Sequence, residues 1–257
     1  MPIDRELFIF DTTHKLTNHL LKYLLNIAEN AIKARGRFIV ALAGGKTPIE
    51  FYAKLAGFED LEFWSNVHIF QTDERFVPVD SAESNYRMMK ESLLDFVPIP
   101  LVNVHPFMTE AKDVQEATRV SQKDMREFFI DLECEPYFDL VILGIGEDGH
   151  TASLFPTCLP QNNKELVAVI DNSAIRNQRI TLTFEAINKA KNILFLVTGE
   201  DKANIMRLIL EQNVDVPANR VLVGKGKAVY FLDKDAARRL ATPKNFEHDG
   251  DAVKVII

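Results

Sequence analysis

Short runs of apolar, often β-branched residues alternate along this chain with longer stretches of helical period, and that alternation constrains the fold more than any other feature. The runs are Leu7 to Phe10, Phe38 to Leu42, Val67 to Gln71, Leu140 to Leu143, Ile180 to Phe184, Ile193 to Val197 and Val229 to Leu232. Between them lie the amphipathic stretches Lys15 to Arg35, Pro48 to Leu55, Asn85 to Phe96, Lys112 to Leu132, Lys202 to Glu211 and Ala236 to Leu240. Strands that are apolar throughout must be covered on both faces, and helices between them make the connections parallel. The pattern predicts a doubly wound, Rossmann-like α/β fold of three layers, with a mostly parallel sheet and helices on both faces. Ligands of such folds bind outside the carboxyl ends of the strands.

The chain has 257 residues, 47% hydrophobic and 26% charged, enough to bury a large core. No repeat, long linker or biased tract divides it, and Pro98, Pro100 and Pro106 mark a loop, so residues 1–257 read as a single domain. Its 30 basic against 37 acidic residues leave a net charge of −7, which argues against nucleic acid or an anionic membrane as partner. A bound phosphate must then be held by a few local groups. Cys134 and Cys158 are too few for a disulfide framework and form no Cys-x-x-Cys pair, which fits a reducing compartment. The start, Met1 to Glu6, carries acids where a signal peptide needs bases, and no apolar run approaches the roughly 18 residues of a membrane helix. A soluble cytoplasmic protein is expected; its oligomeric state is not legible, and a monomer is compatible with everything above.

Four corners follow predicted strands. In the first, Ala43-Gly44-Gly45-Lys46-Thr47-Pro48-Ile49-Glu50, two glycines lead into a helix start with Thr47 as N-cap, Pro48 at the first helical position and Glu50 completing a capping box. Free backbone amides and the helix dipole there suit an anion such as phosphate. The tripeptide Gly45-Lys46-Thr47 is no nucleotide P-loop, because Val40 stands where that motif needs glycine. The second corner places Asp73, Glu74 and Arg75 past a strand end. The third, Gly144-Ile145-Gly146-Glu147-Asp148-Gly149-His150, spells the dinucleotide fingerprint. Two acids inside the cradle and Pro156 soon after argue against a pyrophosphate there.

His150 stands out from the other histidines because glycines and a nearby carboxylate surround it at a strand end. An imidazole can accept a proton at neutral pH, and Asp148 can fix its tautomer. The fourth corner, Thr198-Gly199-Glu200-Asp201-Lys202, brings a cation to the same edge, where it would help balance a dianion.

Together and in this order, these segments resemble the 6-phosphogluconolactonase family, within the wider glucosamine-6-phosphate isomerase/6-phosphogluconolactonase superfamily. The resemblance covers roughly residues 10 to 240. It rests on Ala43 to Pro48, Asp73 to Pro78 with Ser84-Asn85-Tyr86, Gly144 to Pro156, Arg179 to Thr183, and Gly199 to Ala203. Asp148-Gly149-His150-Thr151-Ala152-Ser153-Leu154-Phe155-Pro156 is the most specific part. The family's turn commonly reads Ser-Gly-Gly-Ser-Thr-Pro, whereas here Ala43 and Lys46 replace both serines, losing hydroxyls and adding a charge. The resemblance implies that Gly44, Gly45, Thr47, Arg75 and Lys202 bind a substrate phosphate and that His150 is the catalytic base. Lys46 and Asp73 join the substrate-binding set, Asp148 and Arg75 the catalytic one; whether Arg75 meets phosphate or lactone stays open.

The implied reaction is hydrolysis of 6-phospho-D-glucono-1,5-lactone to 6-phosphogluconate, an early step of the pentose phosphate route. An activated ester needs neither covalent nucleophile nor metal, no serine sits in a Gly-x-Ser-x-Gly elbow, and no zinc-ligand spacing occurs, so a cofactor-free enzyme acting on a small sugar phosphate is expected. One rival is an amino-sugar phosphate isomerase/deaminase of the same superfamily, using an acid of the Asp73-Glu74 pair. Those enzymes typically follow Asp-Gly-His with Ile-Ala-Phe-Asn-Glu-Pro, which this chain lacks. The other is a non-catalytic sugar-phosphate sensor, which would need a DNA-binding module for which no spare segment exists.

Overall fold

Each apolar run supplies all or most of a strand, and further strands join them: β1 (Arg5–Phe10), β2 (Phe38–Leu42), β3 (Val67–Gln71), β4 (Asp73–Arg75), β5 (Val104–His105) and β6 (Leu140–Leu143). They continue with β7 (Val167–Ile170), β8 (Arg179–Leu182), β9 (Ile193–Val197), β10 (Ala228–Asp233), β11 (Glu247–Asp249) and β12 (Ala252–Ile256). The computed structural model describes residues 5–160, 164–172, 175–221, 228–241, 247–249 and 252–256. The first four residues of the acidic amino-terminal stretch lie outside them. One sheet has the order β11-β12-β1-β10-β9-β6-β2-β3-β5, parallel from β1 through β5, with β11 and β12 as an antiparallel edge.

Alternation along each strand feeds two cores. Ile39, Ala41, Val141, Leu143, Phe195 and Tyr230 face one; Phe38, Val40, Leu42, Leu140, Ile142 and Phe231 face the other. Helices α1 (Thr13–Arg35), α2 (Ile49–Ala56), α3 (Leu61–Ser65) and α4 (Asn85–Ser92) supply the second core. Helices α5 (Val114–Asp131), α6 (Phe184–Asn188), α7 (Ala203–Gln212), α8 (Pro217–Arg220) and α9 (Lys234–Ala237) supply the first. The doubly wound, three-layer α/β architecture is as the pattern predicts. Among the described residues no helix is long and apolar enough to cross a membrane.

The expected strand Ile180 to Phe184 behaves differently. β8 leaves the main sheet and pairs antiparallel with β4 and β7 in a three-stranded sheet. It ends at Leu182 because the Thr183 hydroxyl accepts the N–H of Ala186 and starts α6, which takes Phe184. The proline-marked loop also holds more than expected, a 3-10 turn at Leu101–Asn103 and the edge strand β5.

A fully buried carboxylate ties the layers together at the amino end of the sheet. Asp139 accepts from Arg35 (2.6 Å), Lys191 (3.0 Å) and the Ile39 N–H (3.0 Å). At the β3–β5 edge, the His68 and His105 rings lie 5.8 Å apart, and Phe128 of α5 packs against both. His68 Nδ1 and His105 Nε2 are buried without a hydrogen-bond partner. Burial first, then His105 and Arg37, lower the His68 pKa from 6.5 to about 4. The unfolded chain therefore takes up a proton that the folded one refuses, and stability falls as the pH drops from 6.5 toward about 4. Urea unfolding across that window should show a shallower pH dependence in His68→Phe than in wild type; equal slopes would remove His68 as the cause.

Candidate active site

The carboxyl ends of the adjacent strands β9, β6, β2 and β3 open onto one cleft of about 210 Å³. The turn Gly44 to Thr47, Asp73, Arg75, His150 and Lys202 all border it. Segments more than 150 residues apart in the chain are thus brought to one edge. Asp148 does not itself border the cleft; its carboxylate contacts His150 and lies beside Gly146, which do.

The glycine turn is shaped by what lies behind it. A Cβ on Gly44 would fall 2.0–2.3 Å from the side-chain atoms of buried Asn85, so only glycine lets the turn close on α4. Buried Tyr52 donates to the Ala43 carbonyl (2.6 Å); burial first, then Asp73, hold its pKa above the usual tyrosine range, so it stays a donor. The capping box predicted at Thr47 does not form. Pro48 takes the cap position with helical backbone angles and no side-chain bond, and Glu50 instead accepts from Thr17 of α1 (3.1 Å). A tertiary partner outcompetes the local one, and α2 still begins at the cleft.

The two acids of the second corner divide their roles. Glu74 is 1% exposed, and its carboxylate accepts from the N–H groups of Arg75 (2.8 Å), Asn85 (2.7 Å) and Tyr86 (2.7 Å), from Ser84 Oγ (3.1 Å) and from Gln71 Nε2 (3.0 Å). It occupies the amino end of α4, which Ser84 also caps, where orphan N–H groups and the helix dipole favour an anion. Asp73 accepts from Ser153 Oγ (2.6 Å) and Thr72 Oγ1 (3.1 Å), joining the second corner to the third. Arg75 donates to the Glu83 carbonyl (3.1 Å) and to Asn85 Oδ1. Asn85 in turn donates to the Asp73 carbonyl (2.9 Å).

At the third corner, Asp148 Oδ1 lies 2.6 Å from His150 Nδ1 and also accepts from the His150 N–H (3.0 Å). A carboxylate at Nδ1 places the proton there and leaves Nε2 as the acceptor. The imidazole lies against Gly146, where a Cβ would fall 2.1 Å from the ring, and Phe155 packs on it with centroids 4.5 Å apart. The following Ala152, also on the cleft, holds a left-handed φ of 48°. Gly199 donates to Asp233, and Lys202, at the end of the next turn, pairs with Asp201 (3.2 Å).

Two charged or amide side chains of the cleft carry no role in the sequence reading. Asn85 and Arg179 both line it, and both lie in segments of the family resemblance, yet neither follows a parallel strand, the signal that marks the other corners. Among the described residues no three His, Cys, Asp or Glu side chains converge as metal ligands.

Residues 11–230 match the family described as glucosamine-6-phosphate isomerases/6-phosphogluconolactonase. The chain is 35% identical to a probable 6-phosphogluconolactonase 2 of Oryza sativa subsp. indica, covering 92% of this chain and 90% of that one. It is 37% identical to the 6-phosphogluconolactonase of Homo sapiens, over 82% of this chain and 83% of the relative. The crystal structure of a 6-phosphogluconolactonase from Thermotoga maritima superposes with a TM-score of 0.79 at 32% identity, covering 90% of this chain and all of that one.

Because five donors converge on Glu74, Glu74→Gln turns an amide donor toward buried N–H groups. Each orphaned donor costs about 1–3 kcal/mol, so the variant should lose about 2–4 kcal/mol of unfolding free energy in urea. Wild-type stability in that variant would show that this lattice does not hold the corner.

Proposed function

The chain belongs to the family of glucosamine-6-phosphate isomerases and 6-phosphogluconolactonases, and we propose that it hydrolyses 6-phospho-D-glucono-1,5-lactone to 6-phospho-D-gluconate, in the pentose phosphate route. The observation that carries this reading is the aligned pair of Asp148 and His150, with Nε2 unpaired among the described residues, in a cleft that also presents glycine amides and cations. His150 removes a proton from water as its oxygen attacks the lactone carbonyl. The tetrahedral intermediate then expels the ring oxygen, which takes the proton back from His150 to become the alcohol, and the carboxylic acid so formed gives up its own proton to solvent as the carboxylate.

Gly44, Gly45, Lys46 and Thr47 receive the phosphate at the start of α2, with Arg75 and Lys202 supplying charge. Asp73 holds the Arg75 strand against the His150 loop through Ser153 and faces the sugar. Hydrolysis is favoured over deamination by the state of the acids. Glu74 is buried under five donors, so it is not free to carry a sugar C-2 proton, and Asp73 is tied to Ser153 and Thr72.

Purified protein given fresh phosphogluconolactone should release acid; given glucosamine 6-phosphate it should release no ammonia. The opposite pair of results overturns the assignment. His150→Ala should lower kcat by about 10²- to 10⁴-fold with substrate still binding, and Lys202→Ala should act mainly by raising KM. Near-normal turnover in His150→Ala would take the imidazole out of the mechanism.

A further inference from the structure

Gly149 is the one residue between Asp148 and His150, so the geometry of that pair turns on its backbone. Glycine rotates more freely than any other residue, and Gly149 holds a left-handed φ of 82°. Left to itself, such a joint lets carboxylate and imidazole drift apart. Within the loop, the Gly149 N–H donates to the Gly146 carbonyl (2.9 Å) and the Gly146 N–H to that of His150 (2.8 Å). The Gly149 carbonyl and its bare α-carbon are held from outside, by α8 and the residue before it. The Ala218 N–H, a first-turn donor that a helix cannot satisfy internally, takes the Gly149 carbonyl (3.0 Å). Val216 covers the α-carbon, its Cβ and both methyls 2.6–2.9 Å from where a Gly149 Cβ would stand. We propose that Val216 and Asn219 are positioning residues for His150, clamping Gly149 so that the Asp148–His150 pair stays aligned. The clamp rests on the reading of His150 as base and adds to it a segment remote in the sequence.

The clamp is itself anchored. Valine is stiff at χ1, so Val216 does not readily swing out of the contact. Asn219 Nδ2 donates to the Val214 carbonyl (2.7 Å), and its Oδ1 accepts from Arg5 at the start of β1 (3.0 Å). Arg5 also donates to the Ile209 carbonyl of α7 (3.3 Å), and Arg220 closes the same turn on Asp215 with two bonds of 2.8 Å. The sheet and α7 thus reach the His150 loop through α8. Val216, Ala218 and Asn219 do not border the cleft, so they act on the pair and not on the substrate. Once Asp148 slips from Nδ1, the ring takes the Nε2–H form that a free imidazole prefers in water, and Nε2 is no longer an acceptor. The cationic wall keeps its place, so turnover suffers and binding does not.

The test compares wild type with Val216→Ala, Asn219→Ala and a control, Val229→Ala, which removes the same two methyl groups from the core across the sheet from α8. Nitrogen-15 NMR of the imidazoles, with His150 assigned from His150→Gln, reads the tautomer without any substrate. At a pH where the ring is neutral, wild type should carry the proton at Nδ1, and both α8 variants should shift toward Nε2–H. Turnover should fall about 10- to 100-fold in Val216→Ala and less in Asn219→Ala, with KM for the phosphorylated lactone staying within about twofold. The control should lose stability in urea yet keep tautomer and kcat near wild type, a separation that a merely structural role does not produce. A wild type with its proton on Nε2, or a folded Val216→Ala that keeps either the tautomer or the kcat of an active wild type, overturns the clamp. Should Val216→Ala not fold, the same result in Asn219→Ala overturns it. A wild type that hydrolyses no lactone, yet loses its Nδ1 proton when α8 is loosened, refutes the lactonase reading and leaves the clamp standing.

Discussion

A sheet buried on both faces has no room for chemistry except at its strand ends, and everything at this site depends on that burial. Packing on the two cores fixes which residues of β9, β6, β2 and β3 point up and down, and hydrogen bonding fixes their order. Neighbouring strands lie about 4.8 Å apart, so four adjacent ends span about 14 Å, the scale of a single sugar phosphate. The parallel direction puts all four carboxyl ends on one side. Convergence of distant segments is therefore a consequence of the core, and no loop has to travel far to achieve it.

Loops at such an edge still have to be held, and the acids do this. A carboxylate has several lone-pair sites, and Glu74 uses them to bind the end of α4 and the second corner into one unit. Asp73 bridges that unit to the third corner, and Asp233 fixes the fourth through Gly199 and the start of α9. The carboxylates point at backbone and hydroxyl donors, while Lys46, Arg75, Arg179 and Lys202 border the cleft. A chain of net charge −7 thereby builds a cationic pocket. The sign of the whole molecule says little about the sign of its site.

The parallel strands and the larger helices are legible because each carries a periodic apolar signal, and the glycine corners are legible because they follow those strands. The small sheet is harder to read. β4 is the charged tripeptide Asp73–Arg75, and β7 is a four-residue run; neither is long or regular enough to declare a pairing partner. That Arg179 stands opposite Arg75 is a fact about register that a single sequence does not contain. The Thr47 capping box shows the converse error. The local pattern is present, but Glu50 meets Thr17 on a neighbouring helix, and a half-exposed tertiary bond takes the place of the local one. Asp148 and His150, two residues apart in one turn, needed no long-range information and lie as their spacing suggests.

On the proposed function, the architecture assigns anchoring and chemistry to different strands. Groups gripping a phosphate remote from the carbonyl bind ground state and transition state nearly alike, so they set how readily substrate is held and oriented, and do little for the chemical step by themselves. The step depends on one imbalance in one ring: a proton held at Nδ1 by Asp148 and a lone pair at Nε2. That ring is fixed from three sides, by the carboxylate, by Phe155 and by the bare face of Gly146. None of the three is part of the cationic wall. The base can therefore stay fixed while the anchors vary, which accounts for a turn in which lysine stands where the family commonly has serine, beside an Asp-Gly-His segment that keeps the family's pattern.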